Sequence, residues 1–259
     1  MFLIAEAGVN HNGKLEEALN LVDAAKNCGA DAVKFQFFDS RRLWGDDRIR
    51  HLDLRFDDFV KLHEHCERTG IEFMCTAFGI AELTMLRPLL KRVKIPSGLN
   101  RDPKYLEACA YTDLPILLST GMCSEEDVRD AVYDGPSCRS LTLLQCTSSY
   151  PCRLEEVNLN AMKTLELRFG HLIDGVGLSD HTTSITVPIA AAALGASVIE
   201  KHFTLDRNQK GPDHKASITP KEFKAMHIAI IEIEAAMGDG EKRVQPCEEA
   251  LRKIWAKHG

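Results

Sequence analysis

Gly177-Leu178-Ser179-Asp180-His181 and Ile199-Glu200-Lys201-His202-Phe203-Thr204 are two strand-like runs, each carrying a histidine beside other polar groups at its end. One helix-length stretch lies between them, so together they read as a strand–helix–strand unit with parallel strands. In a parallel barrel such strands are neighbours, and both imidazoles stand at the same end. Two imidazoles so placed can hold a divalent metal over an open pocket.

The same alternation runs outward to both ends of the chain. Strands are expected at 2–8, 32–38, 72–78, 92–97, 115–121, 141–148, 175–181 and 197–204. Between them lie amphipathic segments such as 14–28, 55–69, 124–133, 159–169 and 185–194. A last helix, Pro220–Met237, has Thr219 to cap it and Pro220 at its first position. Eight βα units without a long linker predict an α/β protein, a (β/α)8 TIM barrel over 1–240, with 241–259 a C-terminal tail or the start of a linker. A doubly wound open sheet is the alternative, but the glycine-rich dinucleotide fingerprint is missing after the first strand.

With 259 residues, 44% of them hydrophobic, the chain can bury one large core. A net charge of −6 and no basic run argue against a nucleic-acid surface. The nine cysteines form no CxxC pair, and Cys75, Cys109 and Cys146 sit in apolar runs. Reduced thiols in a cytoplasmic compartment are the expectation. No apolar stretch reaches the roughly eighteen residues of a membrane span, and Glu6 interrupts the first apolar run, so neither membrane span nor signal peptide is expected.

Barrel enzymes place their sites at the C-terminal strand ends. Polar residues collect there: Glu6, Lys34, Gln36, Thr76, Lys94, Ser97, Ser119, Thr120, Ser148, Tyr150, Ser179, His181 and His202. Alternation sharpens the set, because successive strand residues face opposite sides. Val33, Phe35 and Phe37 suit packing on helices, which turns Lys34 and Gln36 inward. Cys146, Ser148 and Tyr150 share a face, as do Ser179 with His181, and Glu200 with His202 and Thr204. Lys94 and Ser97 break the alternation, which Pro96 and Gly98 explain by a turn or bulge.

Two inward lysines with hydroxyls at Thr76, Ser97, Ser148 and Ser179 make a receptor for a small anion such as phosphate or carboxylate. Alternatively, each lysine pairs with an interior carboxylate, Glu6 or Glu200, or forms a Schiff base. A lone interior histidine is by default a hydrogen-bonded core residue. Two on adjacent strands at one rim favour ligation of Mn2+, Zn2+, Fe2+ or Co2+. Asp213 and His214, in the loop after the eighth strand, can reach over the barrel mouth. Asn10-His11-Asn12-Gly13 has the same reach but is first a turn signal. Arg41, Arg42, Arg48 and Arg50 either cover an anionic substrate or form a solvated face.

The order of motifs carries a further signal. Ile4-Ala5-Glu6-Ala7-Gly8-Val9-Asn10-His11-Asn12-Gly13, Val33-Lys34-Phe35-Gln36, Lys94-Ile95-Pro96-Ser97-Gly98, Leu118-Ser119-Thr120-Gly121-Met122, Cys146-Thr147-Ser148-Ser149-Tyr150-Pro151, Gly177-Leu178-Ser179-Asp180-His181-Thr182, Glu200-Lys201-His202-Phe203-Thr204 and Gly211-Pro212-Asp213-His214 follow one another along the chain. In this order they resemble the sialic acid synthase family, which includes N-acetylneuraminate, legionaminate and pseudaminate synthases. The resemblance implies a (β/α)8 barrel and a transferase that forms a carbon–carbon bond. Its substrates would be phosphoenolpyruvate and the aldehyde of an N-acyl amino sugar, its products a nine-carbon 2-keto acid and phosphate.

By the same resemblance, Lys34, Thr76, Lys94, Ser97, Ser148, Tyr150 and Ser179 would surround phosphoenolpyruvate. His181 and His202 would hold a divalent metal, typically Mn2+, with Mg2+, Co2+ and Zn2+ as alternatives. Glu6 would lie by the reacting carbons and Asp213 by the sugar hydroxyls. The chain departs from the family pattern at Gly79 and Leu99, where acids are usual. Relatives also continue into an antifreeze-like domain that completes a dimeric site, whereas this chain stops at Gly259. A homo-oligomer, with the lid on a separate domain or chain, is the corresponding expectation. A pyruvate aldolase of metal or Schiff-base type and a catalytically reduced sugar- or phosphate-binding barrel are the competing readings.

Overall fold

A computed structural model describes residues 1–40, 50–133, 135 and 138–256. Its eight strands are β1 (Phe2–Gly8), β2 (Ala32–Phe37), β3 (Glu72–Ala77), β4 (Val93–Ile95), β5 (Ile116–Ser119), β6 (Leu141–Cys146), β7 (Gly175–Asp180) and β8 (Val198–His202). All the paired strands are parallel, in the order β3-β2-β1-β8-β7-β6-β5-β4, and β3 packs beside β4 to close the ring. The expected (β/α)8 barrel is therefore the observed fold.

The helices are α1 (Leu15–Asn27), α2 (Phe56–Thr69), α3 (Ile80–Leu86), α4 (Pro103–Ala110), α5 (Glu125–Tyr133), α6 (Ala161–Phe169), α7 (Thr186–Ala193), α8 (Pro220–Met237) and α9 (Glu249–Trp255). Local chemistry sets several ends. Asp102 accepts from the amides of Lys104 and Tyr105 to start α4, with Pro103 at its first position. Thr219 and Glu222 form a reciprocal capping box at the start of α8. Gly70, at φ 71°, closes α2 in the left-handed conformation. β4 is shorter than its predicted span because Pro96 donates no amide to a ladder, and the chain turns there.

Strand alternation sorts the interior into tiers. The outward faces of the strands, such as Ala5, Val33, Phe35 and Phe73, join one large core with Leu21, Val22, Phe59 and Leu62 of the helices. Inside the barrel, Ile4, Ala32, Met74, Leu117, Leu144 and Val198 form a separate apolar plug. Gly177 keeps that plug tight, since a β-carbon there would strike the Val198 carbonyl and lie 2.7 Å from a Leu144 methyl. Two residues further along the same strands come Glu6, Lys34, Thr76, Ser119, Cys146 and Glu200, all facing one cavity. The period of two thus converts a dry floor into a polar site within one step. Among the described residues, no helix is long and apolar enough to cross a membrane.

Candidate active site

The cavity above the plug has a volume of about 330 Å3 and is lined from all eight strands or the turns that follow them. Glu6, Lys34, Thr76, Lys94, Ser97, Ser148, Tyr150, Ser179, His181 and His202 all form its wall, so the structure brings together every predicted site residue but one. That one, Asp213, stands at the mouth with its Oδ2 3.8 Å from His202 Nδ1. Arg41, Arg42 and Arg48 lie outside the described residues, and Arg50 opens a short 3-10 turn at 50–52.

Two lysines and two carboxylates share the cavity floor. Lys34 Nζ lies 2.7 Å from Glu6 Oε2 and 3.6 Å from Glu200 Oε2, and it donates to Thr76 Oγ1 at 3.0 Å. Lys94 Nζ lies 3.8 Å from Glu200 Oε1 and donates to the Ile95 carbonyl at 3.1 Å. Pairing of the lysines with interior carboxylates, posed above as the alternative to an anion receptor, is what this structure displays. The two readings are compatible, because an anion entering the site competes with carboxylates already there.

The two carboxylates differ in state. Burial, with Glu200 nearby, raises the Glu6 pKa to about 7 against the pull of Lys34. Burial also works to raise Glu200, but Lys34, Lys94 and the Ser179 hydroxyl, which donates to it at 3.0 Å, outweigh that and hold it below its ordinary value. The lysines diverge too. Burial lowers Lys94 despite Glu200, whereas in Lys34 the pull of Glu200 and Glu6 exceeds the burial effect and raises it. Near neutrality the floor holds one firm anion and one carboxyl poised to exchange a proton.

Hydroxyls crowd the opposite side. Ser119 Oγ and Ser148 Oγ are buried and find no hydrogen-bond partner among the described residues. Gly121 leaves the room they need: a β-carbon there would collide with the hydroxyls of Ser148 and Ser97. Buried hydroxyls left open in this way suit an incoming anion.

The imidazoles sit above this floor. Their ring centroids are 5.3 Å apart, and the half-exposed Tyr150 ring lies 4.1 Å from that of His181. His181 Nδ1 contacts the Thr147 carbonyl at 2.7 Å, and since a carbonyl only accepts, Nδ1 carries the hydrogen and Nε2 keeps its lone pair. Burial, reinforced by the charges of His181 and Lys34, drives the His202 pKa well below the usual value, and its Nδ1 is buried without a hydrogen-bond partner among the described residues. Among those residues no group of three or more His, Cys, Asp or Glu is placed to hold a metal ion.

The NeuB family model matches residues 21–242. The N,N'-diacetyllegionaminic acid synthase of Legionella pneumophila is 43% identical over 98% of this chain and 78% of its own length. The chain belongs to the NeuB family. Human N-acetylneuraminate-9-phosphate synthase is 35% identical to this NeuB family chain, over 99% of it and 76% of the human protein. The solved N-acetylneuraminic acid synthetase of Leptospira borgpetersenii, in complex with citrate, superposes with a TM-score of 0.89 at 32% identity, covering 100% of this chain and 91% of that one.

Some wall residues of this NeuB family member are given no role by the sequence reading. Gln36 donates to Glu6 Oε1 at 2.9 Å, Cys146 sits 3.5 Å from Ser97 Oγ, and Phe78 and Met122 complete the rim. Inward parity marks Gln36, Phe78, Ser119, Cys146 and Glu200, whereas Met122 follows a strand end and carries no such signal. Of the two departures, Leu99 packs against the outer core. At Gly79, the Glu82 carboxylate fills the place a β-carbon would take.

Proposed function

We propose that this chain condenses phosphoenolpyruvate with the open-chain aldehyde of an N-acyl amino sugar, yielding a nine-carbon 2-keto sugar acid and phosphate. The observation that carries the reading is one cavity joining two lysines and unpartnered hydroxyls to a pair of imidazoles. Relatives named as legionaminic acid, N-acetylneuraminate-9-phosphate and pseudaminic acid synthases support the same class.

In this reading Lys34 and Lys94, with Thr76, Ser97, Ser148 and Ser179, hold the phosphate and carboxylate of the enolpyruvate, and Ser119 adds a donor. C3 of the enol attacks the aldehyde carbon, forming the new bond while the aldehyde oxygen takes up a proton. Water then adds at C2, and the tetrahedral adduct collapses to the ketone as phosphate leaves. Glu6, with a pKa near 7 and one oxygen held by Gln36, is matched to accept the proton of that water. Tyr150 covers the enolpyruvate side, and Asp213 at the mouth receives sugar hydroxyls.

His181 and His202 would hold a divalent metal, Mn2+ first, with Mg2+, Co2+ and Zn2+ as alternatives. Their state fits: one imidazole has its tautomer fixed by a carbonyl, and the other has a buried nitrogen left without a partner. Two imidazoles leave coordination positions open, as a catalytic rather than a structural site requires. When bound, such an ion would polarise the aldehyde oxygen.

The test is phosphate release from phosphoenolpyruvate across a panel of N-acyl amino sugars, after chelation and with Mn2+ restored. Release that needs both a sugar and the metal is expected; none with any sugar, despite phosphoenolpyruvate binding, would sink the proposal. One observation favours a second reading: burial lowers Lys94, which suits a Schiff-base lysine. Borohydride trapping with pyruvate separates the two, since an adduct on Lys94 would establish the aldolase.

A further inference from the structure

The chain does not leave the barrel cleanly after His202. Phe203 pairs with Ile218 in a parallel bridge, the Ile218 amide donates to the His202 carbonyl at 2.8 Å, and the Thr204 amide donates to the Ile218 carbonyl at 3.0 Å. Residues 205–217 are thus an excursion whose two feet stand side by side. Asp213 lies near its far end, and the next residue, His214, is fully buried although it is not part of the cavity wall.

The hydrogen-bond partners of His214 define its tautomer. Asn12 Nδ2 lies 3.2 Å from Nε2 and can only donate, so Nε2 accepts and Nδ1 carries the hydrogen. That hydrogen points to Thr204 Oγ1 at 2.7 Å, and the threonine hydroxyl in turn donates to the Asp206 carbonyl at 3.2 Å. Gly211 lies flat on the imidazole, with room for no β-carbon. The Asp213 backbone is held as well: Asn10 Nδ2 donates to Ser217 Oγ at 2.9 Å, and Ser217 Oγ donates to the Asp213 carbonyl at 2.7 Å. Every ring nitrogen is used, and the partners come from the first βα loop and from the feet of the excursion.

We propose that His214 is the positioning residue for Asp213: seated in a socket of Asn12 and Thr204, it makes the excursion after β8 a fixed wall of the barrel mouth. The role of Asp213 rests on the function proposed above. The seating of the excursion does not.

The test uses the full chain with His214→Phe, which keeps the ring volume and loses both hydrogen bonds, and His214→Asn, whose amide can still donate where Nδ1 does. Hydrogen exchange at the amides of residues 214–218 should rise about tenfold or more in His214→Phe, the scale of one or two lost bonds, with the strands unaffected. His214→Asn should restore much of the protection. In turnover, His214→Phe should raise the aldehyde KM roughly tenfold and leave the phosphoenolpyruvate KM within about twofold. Combined with Asp213→Asn it should add no further loss, because it acts through Asp213.

Unchanged exchange at 214–218, or loss of protection throughout the barrel, would overturn the proposal, as would losses that simply add in the double variant. If no sugar supports turnover in the unaltered protein, the functional reading fails, and the exchange measurement still decides the role of His214.

Discussion

Gly8→Ala is the most informative small perturbation of this site. Gly8 sits at φ +52° where the β1–β2 register shifts, a conformation an alanine adopts at a cost of about 1–2 kcal/mol. The added methyl also narrows the unfolded ensemble, which returns roughly 0.4–1 kcal/mol, so the net stability loss should be about 1 kcal/mol. In a protein of this size that is a fall in Tm of roughly 2–4 °C. The methyl would lie 3.0 Å from Asp213 Oδ2 and 3.3 Å from both Gln36 Nε2 and Glu6 Oε1.

Ordinary carbon contacts lie near 3.5–4.0 Å, so each neighbour must retreat by roughly 0.2–1.0 Å. Those neighbours are the carboxyl assigned to proton transfer, the amide that orients it and the acid at the sugar side. Misplacement on that scale should lower kcat/KM about 10- to 100-fold. Gly195→Ala is the matched control: its φ is +91°, and nothing lies within 4 Å of the added methyl. It should lose similar stability and keep full turnover. Thermal melts and steady-state kinetics on both variants suffice. Full activity in Gly8→Ala, or an equal loss in Gly195→Ala, would refute the assignment of Glu6, Gln36 and Asp213 to the reacting centre.

Other expectations follow from the charges. Because the folded-state pKa of Glu6, about 7, exceeds the ordinary carboxyl value of 4.5, its contribution to stability is present at low pH and is lost as pH rises from about 4.5 through 7. If it accepts the proton of water, kcat/KM should climb over the upper part of that window, and Glu6→Gln should remove the climb. Lys94→Met should weaken phosphoenolpyruvate binding by roughly 100-fold or more, a charge contact of a few kcal/mol at an effective dielectric near 20. It should cost less stability than loss of a sole partner would, because Lys34, 3.6 Å from Glu200, still compensates that carboxylate; an equilibrium binding titration beside a melt checks both. Lys201 Nζ donates to Asp180 Oδ2 at 2.5 Å in a fully buried pair. Lys201→Met should cost about 3–5 kcal/mol by denaturant unfolding, and Asp180→Asn in the same chain should recover part of it, since no bare charge then remains.

Much of this was legible in the sequence. The inward set Glu6, Lys34, Thr76 and Glu200 follows from parity alone, because each stands two residues beyond an apolar plug residue. The short α3, at 7 residues, is too brief to display a helical repeat. Distances decide what parity cannot. That Glu200 lies near both lysines depends on how three separate strands converge. The bond between Asn12 and His214 joins residues 202 positions apart, and no local pattern announces it. Open hydroxyls, such as that of Ser119, are properties of packing rather than of residue type.

The Asp180–Lys201 pair has an evolutionary consequence. Each member immediately precedes a histidine of the site, so charge and imidazole occupy opposite faces of the same two strands. Inserting or deleting one residue in β7 or β8 would exchange the faces, driving a bare charge into the barrel and an imidazole among the helices. The fold itself would fail before a displaced site could be inherited. A one-residue insertion or deletion in either strand should therefore be far more damaging than one in the loop between them.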